Sequence, residues 1–189
     1  CAKGCNTTAW LKAKPEWAKG AQLIRMTPRF NPDVNSYWMC DIGRFDYRWI
    51  EGDSRLQRPL VRTEAGTLEP TDWRNAVTKV SDRVTAAGGA AALRFFVSAH
   101  ASLEELALIG RMGGALGVPE EGVAVSWRRR AKPQPPNVKF TIPADDAPNV
   151  AGALDLGFPV KRAASGEPDL GAFRKQVEDG QVKVLYVFV

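Results

Sequence analysis

The sequence predicts an α/β protein (α+β overall), in which a small irregular strand-containing domain precedes an incomplete Rossmann-like α/β domain. Residues 1–62 contain short extended stretches broken by proline and glycine, whereas later residues alternate apolar strand-like runs with 3.6-residue helical patterns. The charge balance changes at the same place. Residues 1–62 hold 11 Lys and Arg against 6 Asp and Glu, and residues 63–189 hold 15 against 15. We therefore expect domains at 1–62 and 63–189.

The first domain is expected to be poor in long helices. Residues 22–26 have extended character, and Pro28, Pro32 and Gly43 interrupt regular structure. One short helix is expected near residues 8–14. The tryptophans of this domain are expected to fill core or interface positions rather than relay electrons, and they are Trp10, Trp17, Trp38 and Trp49.

The second domain is expected to open with two short strands, at 60–62 and 68–70, on either side of a turn. Thr71 or Asp72 then has the side chain of a helix cap, and apolar residues near 3.6 spacing predict a helix over 73–86. The domain should therefore begin with a hairpin followed by an amphipathic helix.

A βαβ pattern follows this helix. The apolar run at 92–97 is typical of a buried strand, and Ser102 has the side chain of a cap for a helix over 103–116. A last helix is expected at 170–178 and a final strand at 182–189. Because the sequence opens on a cysteine and closes on a strand, we expect a piece of a longer protein.

Three features of the second domain have plain structural interpretations. His100 is a solitary histidine after a strand, which is poor support for catalysis or metal ligation. The glycines of 110–117 lie late in a helix rather than between strand and helix, so they favour tight packing over a dinucleotide-binding loop. The basic run Arg128–Arg130 lies in a Pro-rich loop and favours a solvated face over a phosphate site.

Composition excludes several classes of protein. Apolar residues make up 44% and charged residues 25%, as in ordinary globular proteins. No apolar run reaches the roughly 18 to 20 residues that span a bilayer, and no signal peptide pattern is present. The sequence contains no recognisable Ser/His/Asp set, acid/base carboxylate pair or phosphate-binding loop, so we expect no catalytic residues of its own.

The cysteines carry the main chemical signal. Cys1 and Cys5 form a tight pair with three residues between them, and Cys40 follows after a further 34 residues. An odd count outside a secretory context favours metal or cluster ligation over a disulfide framework. An iron–sulfur cluster, zinc and unligated thiols all remain open on spacing alone. The basic excess of residues 1–62 could likewise balance a negatively charged cluster, meet an acidic partner or bind nucleic acid.

The residues around the cysteines carry a family resemblance. They occur in the order Cys1-Ala2-Lys3-Gly4-Cys5-Asn6, Val34-Asn35-Ser36-Tyr37-Trp38-Met39-Cys40-Asp41-Ile42-Gly43-Arg44-Phe45, Arg55-Leu56-Gln57-Arg58-Pro59-Leu60-Val61-Arg62 and Trp73-Arg74-Asn75-Ala76. This resembles the cluster-binding domain that opens the molybdopterin oxidoreductase superfamily, and within it the family of the large G-type subunits of NADH-quinone oxidoreductase (respiratory complex I). The family pattern is Cys-x2-Cys-x3-Cys and, after a gap, Cys-Asp-x-Gly-Arg.

The resemblance implies a [4Fe–4S] cluster held by Cys1, Cys5 and Cys40, with a fourth cysteine expected three positions before Cys1. It implies a subunit of an enzyme that is an oxidoreductase and translocase, and it implies that the fragment given by this sequence is not catalytic by itself. Its partners would be other complex I peripheral-arm subunits and no nucleic acid. The location would be peripheral, on the cytoplasmic side of the inner membrane, with membrane contact only through the complex. Gly43 is expected to have a positive φ near the cluster.

One residue departs from the pattern of the active pterin enzymes. These usually have a lysine two positions after the last cysteine, where this sequence has Ile42. An aliphatic side chain cannot donate a hydrogen bond between cluster and pterin, so we expect no molybdopterin. The alternatives are a molybdenum or tungsten bis-pterin oxidoreductase, such as a formate dehydrogenase or nitrate reductase, and a zinc-stabilised nucleic-acid-binding module.

Overall fold

The computed structural model describes residues 1–14, 16, 22–138 and 140–188. They form two compact units. Unit 1 comprises Cys1–Ala2, Asp72–Gln134 and Ile142–Val189, and unit 2 comprises Lys3–Thr71 and Pro135–Thr141. The predicted functional domains at 1–62 and 63–189 stay a prediction, since compactness does not define a domain's function.

Unit 2 contains an antiparallel pair of strands, β1 (Thr7–Leu11) and β2 (Leu23–Pro28). Trp10 lies opposite Arg25, whose guanidinium carbon is 4.7 Å from the centroid of the indole ring. The Trp10 Nε1 also donates a hydrogen bond of 2.9 Å to the Thr27 hydroxyl on β2. The short helix predicted near residues 8–14 is therefore wrong, because pairing with a distant strand determines the conformation of this segment.

The remainder of unit 2 is built from short elements. Helix α1 spans Asp41–Phe45, and a single 3₁₀ turn spans Arg48–Glu51. Strands β3 (Leu60–Arg62) and β4 (Leu68–Pro70) form an antiparallel hairpin at the predicted positions.

Unit 1 begins with helix α2 (Trp73–Ala86), for which the Asp72 carboxylate accepts a hydrogen bond from the Asn75 N–H at 2.8 Å. Strand β5 (Leu93–Ser98) follows, and then helix α3 (Leu103–Leu116). The predicted cap of α3 is confirmed as a reciprocal capping box, in which Ser102 and Glu105 each accept the other's backbone N–H.

Strand β6 (Val123–Ser126) and helices α4 (Val150–Asp155) and α5 (Gly171–Glu178) follow. The last described strand of the sheet, β7, spans Val184–Phe188. The strand order is β6-β5-β7, and both pairs are parallel. This arrangement confirms the predicted Rossmann-like α/β class, with β5 in the centre.

The hydrophobic core of unit 1 lies between β5 and α3. Phe95, Val97 and Leu106 are at most 1% exposed. A Cβ added at Gly113 would lie 3.2 Å from the Phe95 ring, so a glycine at this position lets the helix approach the strand closely. The packing interpretation is therefore confirmed for Gly113, whereas a Cβ added at Gly114 would meet no atom within 4 Å.

Three tryptophans of unit 2 lie outside its core. Trp10, Trp38 and Trp49 are 45%, 63% and 62% exposed, so a core position is wrong for these three, while an interface position stays a prediction. Trp17 lies outside the described residues. No helix in the described part of the chain is both long enough and apolar enough to cross a bilayer.

Candidate metal centre

Two of the three predicted cysteine ligands lie close together in unit 2. Cys5 lies just before β1, and Cys40 is the N-cap residue of α1. Burial, followed by the nearby Cys40 thiol, raises the pKa of the Cys5 thiol, while the Lys3 ammonium partly offsets this rise. A bound cation would offset the burial that disfavours the Cys5 thiolate, because metal ligation requires a deprotonated thiol.

Cys40 accepts a hydrogen bond from the backbone of its own helix. The Gly43 N–H points at the Cys40 Sγ at 3.4 Å. Hydrogen bonds to cysteine sulfur are one of the means by which proteins adjust a cluster's reduction potential. Cys5 and Cys40 are both half-buried, and neither forms a disulfide. The donor set at Cys5 and Cys40 therefore fits two ligands of an iron–sulfur or zinc centre.

Gly43 has a different role from the predicted one. It lies within α1 and is absent from the glycines of positive φ, so the prediction of a left-handed backbone is wrong. A Cβ added at Gly43 would lie 3.1 Å from the Met39 Cε and 3.8 Å from the Cys40 Sγ. The tight contact is therefore with the end of the Met39 side chain, whereas the distance to the cysteine sulfur is ordinary van der Waals contact.

Cys1, the third predicted ligand, belongs to unit 1 and is exposed. Within residues 1–14, 16, 22–138 and 140–188, no three His, Cys, Asp or Glu side chains are grouped as a metal-ion site. His100 follows β5 in unit 1, whereas Cys5 and Cys40 belong to unit 2. The structure thus brings together two of the predicted ligands.

Asn35 joins the two cysteine segments and was not identified from sequence. Its side-chain oxygen accepts the Asn6 N–H at 3.0 Å, next to Cys5. Its amide nitrogen donates to the Trp38 carbonyl at 3.1 Å, two residues before Cys40. Further bonds from this nitrogen reach the carbonyls of Arg29 and Ser36.

Asn35 is only 2% exposed, so the loss of its bonds would leave several part-buried backbone groups without these partners. The turn-forming composition of residues 31–36 signalled a loop, but no local pattern reveals a hydrogen bond to Asn6, 29 residues away.

Ile42 lies in the first turn of α1 and is 68% exposed. Its aliphatic side chain is therefore largely exposed, two residues after Cys40 in the chain. The position at which active pterin enzymes usually have lysine thus has neither a charge nor a hydrogen-bond donor.

Comparison with known proteins first defines a class. No family model matches the chain. A "Putative formate dehydrogenase" of Staphylococcus aureus is 29% identical over 115 residues, or 59% of this chain and 11% of that protein. NADH-quinone oxidoreductase subunits also match the chain, so each of these relatives is named as an oxidoreductase or one of its subunits.

Within that class, the similarity to complex I subunits is the more specific. The chain is 33% identical to NADH-quinone oxidoreductase subunit 3 of Thermus thermophilus over 119 residues, or 63% of this chain. It is 34% identical to the G-type NADH-quinone oxidoreductase subunit of Streptomyces coelicolor over 89 residues, or 47% of this chain. These relatives are oxidoreductase subunits, and the similarity is consistent with a fragment of this complex I subunit family, as the motifs predict. The chain spans 14% and 10% of their lengths.

Proposed function

We propose that residues 1–62 form a [4Fe–4S] domain in an electron-transfer subunit of an NADH:quinone oxidoreductase, with Cys1, Cys5 and Cys40 as three of the ligands. The observation that carries the proposal is the hydrogen bonding of the Asn35 side chain, which joins the segments that contain Cys5 and Cys40. This arrangement occurs in a chain similar to named NADH-quinone oxidoreductase subunits. A fourth cysteine, three positions before Cys1, would complete the tetrahedral ligand set.

A [4Fe–4S] cluster accepts and releases single electrons when bound. This chain would supply thiolates at Cys5 and Cys40, and the Gly43 N–H would stabilise negative charge on the Cys40 sulfur. Asn35 would keep the two cysteine segments in register through its bonds to Asn6 and Trp38. The excess of five positive charges in residues 1–62 would offset the charge of a four-thiolate cluster.

In this proposal the role is electron storage within a larger assembly that oxidises NADH and reduces quinone. Its partners are the other peripheral-arm subunits, and it lies on the cytoplasmic side of the inner membrane through them. Exposed Ile42 supports electron transfer without a pterin, because its side chain cannot donate a hydrogen bond between two cofactors.

The test is anaerobic reconstitution with iron and sulfide of a chain extended upstream of Cys1. We expect about four iron and four acid-labile sulfide per chain and, after reduction, the electron paramagnetic resonance signal of a [4Fe–4S]⁺ cluster. Cys5→Ser and Cys40→Ser should each abolish this signal or convert it to that of a smaller cluster. Tyr37→Phe, at a 70% exposed position of the same unit, should retain it. Stoichiometric zinc without iron would overturn the proposal.

The second candidate is a molybdenum or tungsten bis-pterin oxidoreductase, which the similarity to the Staphylococcus aureus relative favours. Metal analysis of the full-length protein separates the two. Molybdenum or tungsten at one per chain would support the pterin enzyme, whereas iron and sulfide without either metal would support the electron-transfer subunit.

A further inference from the structure

A cavity of about 460 Å³ lies in unit 1, where the chain leaves the carboxyl end of β6. Its wall includes Trp127 and the three arginines that follow it, Arg128–Arg130. In open parallel sheets, ligands bind in crevices outside the carboxyl ends of the strands. The volume is within the range of small-molecule sites. The basic run interpreted from sequence as a solvated loop is therefore part of a concave surface.

The cavity carries a net positive charge even after its ion pairs are counted. Asp146 forms an ion pair with Lys132, and the hydrogen bond from Lys132 lowers the pKa of Asp146. Among the charged side chains of the wall and their ion-pair partners, five are cations and three are anions. The cations are Arg128, Arg129, Arg130, Lys132 and Arg162, and the anions are Asp145, Asp146 and Glu167. The resulting charge of +2 suits a dianion.

Arg129 forms an ion pair and packs against a turn, so the neighbouring arginines, Arg128 and Arg130, are the ones that face the open side of the cavity. Its guanidinium pairs with Asp145 at 3.2 Å, and Arg162 pairs with the same carboxylate at 3.1 Å. Gly166, at φ +84°, lies so close that an added Cβ would be 3.0 Å from the Arg129 Cζ. Arg128 and Arg130 are exposed and also line the cavity.

Trp127 contributes a buried hydrogen-bond donor. The residue is 5% exposed, and the Arg162 guanidinium carbon lies 4.8 Å from its ring centroid. Its indole Nε1 meets no acceptor among the residues that the structure describes. A buried donor without an acceptor is unfavourable, so an anionic oxygen that reached the Trp127 Nε1 would be stabilised by it.

We propose that this cavity binds a phosphate-bearing small molecule, with the phosphate group between Arg128 and Arg130 and against Trp127. Arginine suits phosphate because its planar fork donates two parallel hydrogen bonds to a tetrahedral oxyanion. The site uses no cysteine and lies within unit 1, so it is independent of the proposed cluster.

The test is isothermal titration of the 189-residue chain at constant ionic strength with four ligands: inorganic phosphate, adenosine monophosphate, adenosine and formate. We expect one-to-one binding of the two phosphate ligands and at least tenfold weaker binding of adenosine and formate. Tighter binding of the nucleotide than of inorganic phosphate would identify an organic phosphate as the ligand class. The reverse order would identify free phosphate.

Variants separate a built site from general attraction to a basic surface. Arg128→Ala with Arg130→Ala should weaken phosphate binding at least tenfold. The matched double variant Arg83→Ala with Arg111→Ala removes the same charge from α2 and α3 and should change it less than twofold. Equal weakening by both double variants, or no saturable binding by the unaltered chain, would overturn the proposal. Trp127→Phe should weaken binding by about three- to tenfold, and unchanged affinity would remove the indole from the site.

Discussion

The buried hydrophobic side chains of the described residues lie in unit 1, between Ala92 and Phe158, whereas the described residue that is buried in unit 2 is Asn35. Burial of one large apolar side chain contributes about 1.5–3 kcal/mol, but a typical hydrogen bond contributes a net 0.5–1.5 kcal/mol. Unit 1 therefore has the interior of an independent domain. Unit 2 has the interior of a small domain that needs a further cross-link, such as a metal centre.

Removal of iron should have the largest effect, and we expect it to reduce amide protection in unit 2 far more than in unit 1. Chelation of the reconstituted chain is expected to abolish amide protection throughout unit 2, because the ligands would no longer link its segments. Peptides that contain β5 and α3 should keep their protection. Hydrogen exchange read by mass spectrometry measures both units in one sample, and equal loss in the two would contradict the comparison.

Truncation of a core side chain should have the opposite effect and destabilise unit 1 more than an equivalent change destabilises unit 2. Phe95→Ala removes a side chain that is 1% exposed and is expected to destabilise unit 1 by roughly 3–5 kcal/mol. Trp49→Ala removes a larger side chain from unit 2, but that side chain is 62% exposed, so we expect a change within about 0.5 kcal/mol. Denaturant unfolding followed by circular dichroism measures both. Comparable losses would show that unit 2 has a hydrophobic interior after all.

Removal of the buried amide tests what replaces a hydrophobic core in unit 2. Asn35→Ala should destabilise the unit by about 1–3 kcal/mol, because the Asn6 N–H and the Trp38 carbonyl would each lose a partner. Gln57→Ala is the control, since that exposed amide donates a local bond to the carbonyl of Arg55, two residues away. Hydrogen exchange of peptides that contain Cys5 and Cys40 measures the effect. An equal response to both substitutions would contradict a special role for Asn35.

Alanine substitution of two adjacent glycines in α3 tests how closely this helix packs against β5. Gly114→Ala should stabilise the chain by about 0.5–1 kcal/mol, because alanine favours the helix and its Cβ would meet no atom within 4 Å. Gly113→Ala should lack this gain, because its Cβ would press against the Phe95 ring. The difference in unfolding free energy should be about 1 kcal/mol. Two equal gains would show that α3 and β5 can separate without cost.

Acid should weaken unit 1 slightly through one ion pair. Lys132 lowers the pKa of Asp146 in the folded state, so this carboxylate stabilises the fold above its unfolded pKa near 3.9. That contribution is lost as the pH falls through the folded pKa. Its size should be below about 1 kcal/mol, as for other partly exposed pairs. Asp146→Asn should lose this stability at pH 7 and flatten the acid dependence, whereas Glu178→Gln on α5 should not.

Local signals in the sequence identified much of unit 1. Asp72 and Ser102 mark where α2 and α3 begin, because a capping side chain and the helical periodicity after it are both local. The same periodicity did not predict burial, since Trp73 is 73% exposed. Strand β6 and helix α4 were not predicted, because four and six residues are too short to show a period.

The candidate site was only partly accessible from sequence. The spacing of Cys5 and Cys40 suggested a shared ligand set, and the structure places these two thiols close together. Strand β1 was mistaken for a helix because its conformation depends on pairing with β2. The role of Asn35 depends on contacts 29 residues apart in the chain. Long-range contacts of this kind leave no mark in a local pattern.

The bonds of Asn35 also bear on how freely the surrounding sequence can change. Apart from its own amide, each group in these bonds is a main-chain atom, at Asn6, Arg29, Ser36 and Trp38. A main-chain partner is supplied by any residue type in the same conformation, apart from proline where an N–H is needed. Random substitution at Asn6, Arg29 and Trp38 should thus retain the bonds, whereas Ser36 has a φ of 48° and accepts only residue types that tolerate that backbone. Substitution at Asn35 itself should be strongly selected against. A motif intended to find such domains would therefore gain more from this one asparagine than from the aromatic residues beside it.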